Sequence, residues 1–480
     1  MKIKHVCLLL TLTVGALWVQ GYHPWAEDAE IYLPGVEKIL NPGLFPVNTQ
    51  FFASHASLTL FPNLIAASIR LTHLPFEVAL FLWQLASMFL LLWAGWELTG
   101  RCFQSLRARW ASVALLASLF TLPVAGTALY IMDQYLNPRN LAAFAGVFAI
   151  SSVLDKKFAR ATLFLIFAAA IHPLMAVFAF SFCVVLALLP HLDRRQVLLA
   201  FFLPLGLFAP ASAAYHQVAL SHTYFYPMLW HWYEWLGVLA PILVLLWFSR
   251  IARSRGLSNL DLLCRAAVVY QLLYIPVALV VSVPARFESL ARLQPMRSLY
   301  LVYLLFFLIT GGLLGEFVLK NRIWRWIALF VPLCAGMFLA QRALFPASAH
   351  IEWPGAAPRN LWVQAFEWIR ANTPTDAMFA LDPYHMQIPG EDENGFRAVA
   401  QRSMLADAVK DSGAATMFPP NAEEWLRQVQ AQNNWRNFQL QDFRRLQAQY
   451  GVNWVVLQTP GRAGLNCPYQ NAVVMVCRIE

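Results

Sequence analysis

Long apolar runs separated by short polar segments dominate the first 344 residues of the chain. A helix needs about 20 predominantly apolar residues to cross a bilayer, and many of these runs approach or exceed that length. The pattern predicts an α-helical polytopic membrane protein. The runs lie near residues 5–21, 77–98, 111–131, 140–154, 161–189, 196–210, 235–249, 262–283, 298–319 and 326–343.

Two segments decide the helix count. The run 161–189 is longer than one span requires, and His172-Pro173 lies inside it. Because proline removes a helical hydrogen bond and clashes with the preceding turn, we expect two arms that meet at this point. The segment 58–72 is also apolar, but Arg70 within it favours a helix lying in the membrane interface. The prediction is then about eleven transmembrane helices.

Charge separates the chain into two parts. Only 13% of the 480 residues are charged, against roughly 25% in a typical soluble protein. Residues 1–344 carry 24 Lys and Arg against 13 Asp and Glu, whereas residues 345–480 carry 11 against 13. The apolar part therefore has a net charge of +11 and the remainder −2, which sum to the +9 of the whole chain. The basic excess belongs to the apolar part, and we expect no nucleic-acid partner. The basic clusters lie at residues 101–109, 156–160, 194–195, 250–265 and 320–325.

Lys and Arg in short loops stay on the cytoplasmic side of a membrane. This rule predicts a cytoplasmic amino terminus, a large first external loop over 22–76, and an extracytoplasmic domain over 345–480. Residues 5–21 are either a cleaved signal peptide or an uncleaved first helix, and the second interpretation is favoured because no cleavage site is convincing. The transmembrane domain is thus assigned to 1–344.

The carboxyl-terminal part has ordinary soluble composition and predicts a small α/β domain. Its cysteines, Cys467 and Cys477, are ten residues apart, and in an oxidising compartment they predict a disulfide, the alternative being two buried thiols. No nucleotide-binding loop is present, and the sequence leaves the cofactor unknown, a divalent cation included. Helices are predicted at Asn360–Ala371 and near 400–410, 421–431 and 440–449, and strands at 377–382, 453–458 and 472–478.

The first external loop carries a cluster of acids: Glu27, Asp28 and Glu30, with His23 just before them. When carboxylates lie this close together, their repulsion raises the pKa of at least one of them, which can then act as a general base. The aromatic residues and prolines around them indicate packing. The alternative is a solvated acidic loop that only enforces the topology.

Four arginines run against the positive-inside trend, since Arg139, Arg286, Arg292 and Arg297 are all predicted to be external. Arginine binds phosphate bidentately, so these residues suit a phosphate at the membrane border. The alternative is anchoring to lipid headgroups or pairing with nearby acids. His172 is either a site residue or a structural residue at its turn.

The architecture resembles the GT-C superfamily, the polytopic glycosyltransferases that use lipid-phosphate-linked sugars. The resemblance rests on one helix followed by a large external loop with the early motif Glu27-Asp28-Ala-Glu30, an interfacial helix, many further spans and an external α/β domain. The Trp-Trp-Asp motif of oligosaccharyltransferases is absent. Three short elements also resemble an uncharacterised bacterial membrane-protein group related to that superfamily: Asn137-Pro-Arg139-Asn, His172-Pro and Leu293-Gln-Pro-Met-Arg297.

The resemblance implies an inverting glycosyltransferase of the bacterial inner membrane, whose partners are membrane lipid and a polyprenyl-phosphate-linked sugar donor. Asp28 would deprotonate an acceptor, and arginines such as Arg139, Arg286 or Arg297 would stabilise the leaving phosphate. The acids of the first loop should then face these arginines across one pocket roofed by the external domain. The alternatives are a non-catalytic relative and a transporter of lipid or solute. The sugar and the acceptor stay open.

Overall fold

The computed structural model describes residues 2–191, 212–283 and 287–480. Most of the chain is helical, and a small sheet follows the last long helix. The helices are α1 Ile3–Gln20, α2 Ala29–Leu40, α3 Gln50–Ser57, α4 Phe61–Thr72, α5 Phe76–Cys102, α6 Leu106–Ser118, α7 Pro138–Leu154, α8 Phe158–Ile171, α9 Pro173–Leu188, α10 Ala213–Leu220, α11 Trp232–Ser254, α12 Ser258–Ser282, α13 Glu288–Ala291, α14 Leu299–Leu313, α15 Ile323–Leu344, α16 Leu361–Asn372, α17 Phe396–Ala400, α18 Asp411–Met417, α19 Ala422–Ala431 and α20 Leu440–Tyr450. The strands are β1 Pro123–Val124, β2 Leu129–Tyr130, β3 Met378–Ala380, β4 Ser403–Met404, β5 Trp454–Gln458, β6 Asn466–Gln470 and β7 Val474–Arg478.

Within the described ranges, seven helical stretches are long and apolar enough to cross a membrane, or eight if the bent pair α3–α4 is one span. Five of them are α1, α5, α11, α12 and α15. The other two are Pro173–His191 and Glu288–Leu319, in which short helical turns extend α9 and α14. The shorter apolar helices α7 and α8 lie among them. The polytopic helical architecture and the sheet domain agree with the prediction, but the count of eleven is not confirmed. The predicted span 196–210 lies outside the described residues.

One predicted span is wrong in its extent. The run 111–131 was expected to be one helix, but α6 ends at Ser118 and the chain then forms the β1–β2 hairpin. Pro123 begins β1, and Gly126, with φ of 65°, takes a left-handed conformation in the turn that glycine adopts at no steric cost. Apolar character continues past the helix because the hairpin packs into the protein interior.

The predicted break at His172 is present. His172 ends α8 and caps α9, and its Nδ1 accepts a hydrogen bond from the backbone N–H of Met175 at 3.4 Å. The segment 58–72 also forms a helix of its own, α4, bent by 86° from α3. Its position in the membrane interface stays a prediction.

The loops at the two ends of the helical part make different contacts. At one end the basic loops contact each other: Arg101 pairs with Asp155 at 2.8 Å, and Asn259 donates to the Arg101 carbonyl at 3.0 Å. At the other end the carboxyl-terminal domain joins the first loop through the bridge between Tyr22 and Ile351. Within the described ranges, the loops after α5, α7 and α11 thus lie at the end away from this bridge, the arrangement that the positive-inside rule predicts. The orientation in a bilayer stays a prediction.

The sheet of the carboxyl-terminal domain has the strand order β4-β3-β5-β7-β6. Strand β3 runs parallel to β4 and β5, and β5, β7 and β6 are antiparallel. A disulfide joins Cys467 on β6 to Cys477 on β7, with their Cα atoms 3.9 Å apart, below the usual range of about 4.4–6.8 Å. The helices at 361–372, 422–431 and 440–450 and the strands β3, β5 and β7 match the sequence prediction.

The helix predicted near 400–410 is wrong. Helix α17 ends at Ala400, Gln401 takes a left-handed conformation with φ of 54°, and β4 follows at once. A left-handed residue terminates a helix, and the apolar residues after it pair with β3 instead. Strand β6 was not predicted.

Candidate active site

A cavity of about 800 Å³ lies where the first loop, the hairpin segment 119–137 and the carboxyl-terminal domain meet. Its walls combine apolar hairpin residues with charged groups from five parts of the chain. Such a volume is in the range of small-molecule binding sites, roughly 300–1,000 Å³. The charged residues that line it are Glu27, Asp28, Asp133, Arg139, Glu234, Arg297 and Lys410.

Backbone contacts with the segment 133–135 hold the first loop in place. The Gln20 side chain at the end of α1 donates to the Asp133 carbonyl at 2.6 Å. The backbone N–H of Asp28 donates to the Tyr135 hydroxyl at 3.2 Å. Asp28 occupies the position before α2, but its side chain makes no capping hydrogen bond. The carboxylate is therefore free to face the cavity.

Lys410 brings the carboxyl-terminal domain into this site. It immediately precedes α18, and its Nζ contacts Glu27 Oε2 and lies 3.2 Å from Asp28 Oδ1. The Lys410 side chain is only 13% exposed, so solvent screens these ion pairs weakly. Two carboxylates of the first loop and one ammonium of the distant domain thus form a cluster.

The charges of this cluster set the protonation of its members. Burial alone would raise the pKa of the Asp28 carboxyl, but the positive charges of Lys410, Arg139 and Arg297 outweigh it and lower the pKa. Glu393 adjoins this cluster, because its carbonyl accepts a hydrogen bond from the backbone N–H of Glu27 at 2.8 Å. Burial and the charge of Glu27 raise the pKa of the Glu393 carboxyl to about 9. Asp28 is therefore ionised at neutral pH, whereas Glu393 keeps its proton.

Two arginines line the cavity in different states. Arg139 donates to both Asp133 carboxylate oxygens, at 2.7 and 2.8 Å, and its buried Nε has no hydrogen-bond partner among the described residues. Arg297 lies over the Tyr224 ring at 4.9 Å and has no carboxylate within ion-pair distance in the described ranges. Arg297 is thus the cavity cation whose charge is least compensated.

His222 is a further lining residue that the sequence analysis did not consider. Burial lowers the pKa of its imidazole to about 4, so the ring is neutral at physiological pH. Its Nε2 is buried and has no hydrogen-bond partner in the described part of the chain. A neutral ring nitrogen in this position can accept or donate one hydrogen bond to a ligand, depending on its tautomer.

Glu30 does not share the cavity with Glu27 and Asp28. It is fully buried and pairs with Arg397 at 2.9 Å, and its second oxygen accepts from the Ala398 N–H at 3.2 Å. Glu30 follows Asp28 by two residues, which turns the two side chains about 200° apart on α2. The grouping of all three acids in one site therefore does not hold, and burial raises the pKa of Glu30 to about 8.

The other residues named from the sequence lie outside the cavity or outside the described ranges. His23 is buried, bonds Glu352 at 2.8 Å through Nδ1 and stacks on the Phe345 ring. His172 performs the capping described above and does not line the cavity. Arg286 lies outside the described residues.

Sequence reasoning missed Lys410 and Asp133. Asp133 lies two residues beyond the apolar run 111–131, which predicts a membrane span, and a single acid after such a run does not indicate a site. Lys410 is the only lysine in residues 345–480, where the other basic residues are all arginine. A single lysine among arginines could have marked Lys410 as a candidate, but the sequence does not show which carboxylate it pairs with.

Among the comparisons with known proteins, only the comparison with solved structures gives matches. Neither a family model nor a curated protein sequence matches the chain. Among solved structures, the chain is similar to the archaeal oligosaccharyltransferase AglB from Archaeoglobus fulgidus, in complex with an inhibitory peptide and a dolichol-phosphate. The alignment covers 95% of this chain and 69% of that chain, with 11% identity and a TM-score of 0.43. Similarity at this level supports no statement about activity or substrate.

Proposed function

We propose that the protein is a membrane glycosyltransferase that transfers a sugar from a polyprenyl-phosphate donor to an acceptor on the extracytoplasmic side of a bacterial inner membrane. The observation that carries this proposal is the shared cavity, which brings Asp28 and Glu27 together with Arg139 and Arg297. A base and a group that stabilises a leaving phosphate must flank the same anomeric carbon. Arg139, Gly237 and Tyr303 line the cavity near the starts of α7, α11 and α14, so an isoprenoid tail bound there would extend along apolar helices into lipid.

In the proposed reaction, Asp28 accepts the proton of an acceptor hydroxyl. The acceptor oxygen forms a bond to the anomeric carbon while the bond from that carbon to the phosphate oxygen breaks, with inversion. Arg297, which has no carboxylate partner in the described ranges, and the open Nε of Arg139 stabilise the charge on the departing phosphate. His222 would hydrogen-bond the sugar.

Lys410 keeps Asp28 ionised before the acceptor binds. Because its charge lowers the pKa of the Asp28 carboxyl, it also makes this carboxylate a weaker base. Among the described residues, no group of three or more His, Cys, Asp or Glu side chains has the arrangement of a metal site. Metal dependence is a separate question, which transfer assays with and without EDTA address.

Phosphate binding is expected to depend on Arg297. Farnesyl phosphate should bind the purified protein at least about tenfold more tightly than farnesol, because charge-assisted hydrogen bonds to a guanidinium contribute roughly 1.5–3 kcal/mol. Arg297→Gln should remove most of this difference, as measured by microscale thermophoresis in maltoside detergent. Arg292→Gln is the matched control, because Arg292 lies on the same segment but outside the cavity. If Arg297→Gln and Arg292→Gln lose the preference for farnesyl phosphate equally, this result would contradict a phosphate site at Arg297.

Lys410→Met is expected to move the acidic limb of the pH–rate profile upward. An opposite charge this close lowers a carboxyl pKa by about 1–3 units, so its removal raises the pKa of Asp28. Since only ionised Asp28 accepts a proton, activity should begin at a pH at least about one unit higher. The exposed Arg444 serves as control, and Arg444→Met should leave the profile unchanged. An unmoved limb in Lys410→Met would exclude this role of Lys410.

A further inference from the structure

A second, smaller cavity of about 150 Å³ lies where the end of α1, the start of α5 and the segment after α15 meet. It shares no lining residue with the candidate active site. Three carboxylates line it, from Glu77, Glu352 and Glu367, together with the aromatic rings of Trp25 and Trp353. Acids beside indole rings are an arrangement that suits an organic cation, because the ring faces are electron-rich.

The wall contains a buried hydroxyl group that no described residue hydrogen-bonds. Tyr22 is 1% exposed and lines the cavity, and its hydroxyl has no hydrogen-bond partner among the described residues. Burial and the charges of Glu352 and Glu77 raise the pKa of this hydroxyl, which therefore stays neutral. Buried polar atoms are nearly always hydrogen-bonded. The unpartnered oxygen beside two carboxylates is accordingly in position to accept a hydrogen bond from a cationic donor.

The negative charge of the cavity is only partly compensated. Glu367 lies 3.7 Å from Arg370, and Glu352 lies 2.8 Å from the ring of His23. Glu77 has no cationic partner within ion-pair distance in the described ranges, and one of its oxygens accepts from a backbone N–H at 2.9 Å. Arg359 is the basic residue in the cavity wall, and its side chain is exposed. Within the described part of the chain, the carboxylate of Glu77 therefore has no ion-pair partner.

We propose that this cavity is a binding site for an ammonium group. The ammonium donates to the carboxylates of Glu77 and Glu352 and to the Tyr22 hydroxyl, with the Trp353 ring beside it. The volume is below that of a drug-sized site and fits a small group. The cavity borders three candidate membrane spans, so the group belongs either to an ethanolamine lipid headgroup or to a soluble amine. This inference is independent of the proposed function.

The test measures binding to the full-length protein purified in maltoside detergent. The probes are lysophosphatidylethanolamine, lysophosphatidylglycerol with the same acyl chain, and spermidine. The variants are Glu77→Gln, Tyr22→Phe and the control Glu423→Gln, which changes an exposed carboxylate on α19. Thermal unfolding of each variant is recorded alongside, and Tyr22→Phe removes a single oxygen, so it preserves packing.

The ethanolamine lipid should bind the wild-type protein at least about tenfold more tightly than the glycerol lipid. Glu77→Gln should abolish that preference, Tyr22→Phe should weaken it about threefold, and Glu423→Gln should leave it unchanged. If only spermidine binds more weakly to Glu77→Gln and Tyr22→Phe than to the wild-type protein, the ammonium group comes from a soluble amine. The ammonium site is then supported. If no probe distinguishes the wild-type protein from Glu77→Gln, the proposal is overturned.

Discussion

Asp28→Asn should abolish sugar transfer while the protein stays folded. Asparagine keeps the shape of aspartate but cannot accept the acceptor's proton, and loss of a general base typically costs about 10²–10⁴-fold in rate. Asp28 faces the cavity without capping its own helix, so its carboxylate does not hold α2. The measurement is transfer from a panel of short-chain polyprenyl-phosphate sugars by the purified protein, with thermal unfolding recorded alongside.

Glu37→Gln is the matched control for Asp28→Asn. Glu37 lies on α2 and is buried outside the cavity, where burial raises the pKa of its carboxyl to about 8. The protonated side chain resembles glutamine, so this variant should transfer at the wild-type rate. Wild-type rates in Asp28→Asn would assign the base to another residue. Absence of transfer by the wild-type protein with every donor would favour the non-catalytic or transporter interpretation.

Arg397→Met is expected to cause the largest loss of stability. Arg397 is 1% exposed and pairs with Glu30 at 2.9 Å and with Asp411 at 2.7 Å. Removing one partner of a buried ion cluster leaves uncompensated charge, which costs about 3–5 kcal/mol. Because Glu30 belongs to the first loop and Asp411 directly follows Lys410, the cavity of the candidate active site should also lose its shape.

The control for Arg397→Met is Arg427→Met. Arg427 pairs with Glu424, but its side chain is 70% exposed, and exposed pairs contribute little. Scanning fluorimetry of both variants in detergent should show a large drop in unfolding temperature for Arg397→Met and almost none for Arg427→Met. Comparable unfolding temperatures would mean that the buried cluster does not stabilise the contact between the first loop and the domain.

The helical architecture is predictable because it follows from local composition. Apolar runs of span length have few stable alternatives in a bilayer, and the proline after His172 breaks its helix without help from distant residues. The error at 111–131 has a tertiary cause, since the apolar residues after Ser118 pack into the interior as a hairpin. Hydropathy reports burial, and burial in protein and burial in lipid look alike in a sequence.

The candidate site was predictable only in part. Charge in the first loop and arginines against the positive-inside trend pointed to Asp28, Arg139 and Arg297, and all three line one cavity. Glu30 was grouped with them because it is near in sequence, but helix geometry turns it to Arg397. His23 pairs with Glu352, a residue far along the chain that no local pattern could identify.

The sequence by itself determined the polytopic helical character, the contrast in composition between residues 1–344 and 345–480, and the acidic first loop, because each is a property of local composition. Only the tertiary structure decided which charges meet. Lys410 lies more than 380 positions from Asp28, and no periodicity relates them. Their pairing arises because the carboxyl-terminal domain docks on the first loop, where the Tyr22–Ile351 bridge and the Glu30–Arg397 pair hold it. Electrostatic effects such as the lowered pKa of Asp28 depend on distances of a few ångströms, which folding alone sets.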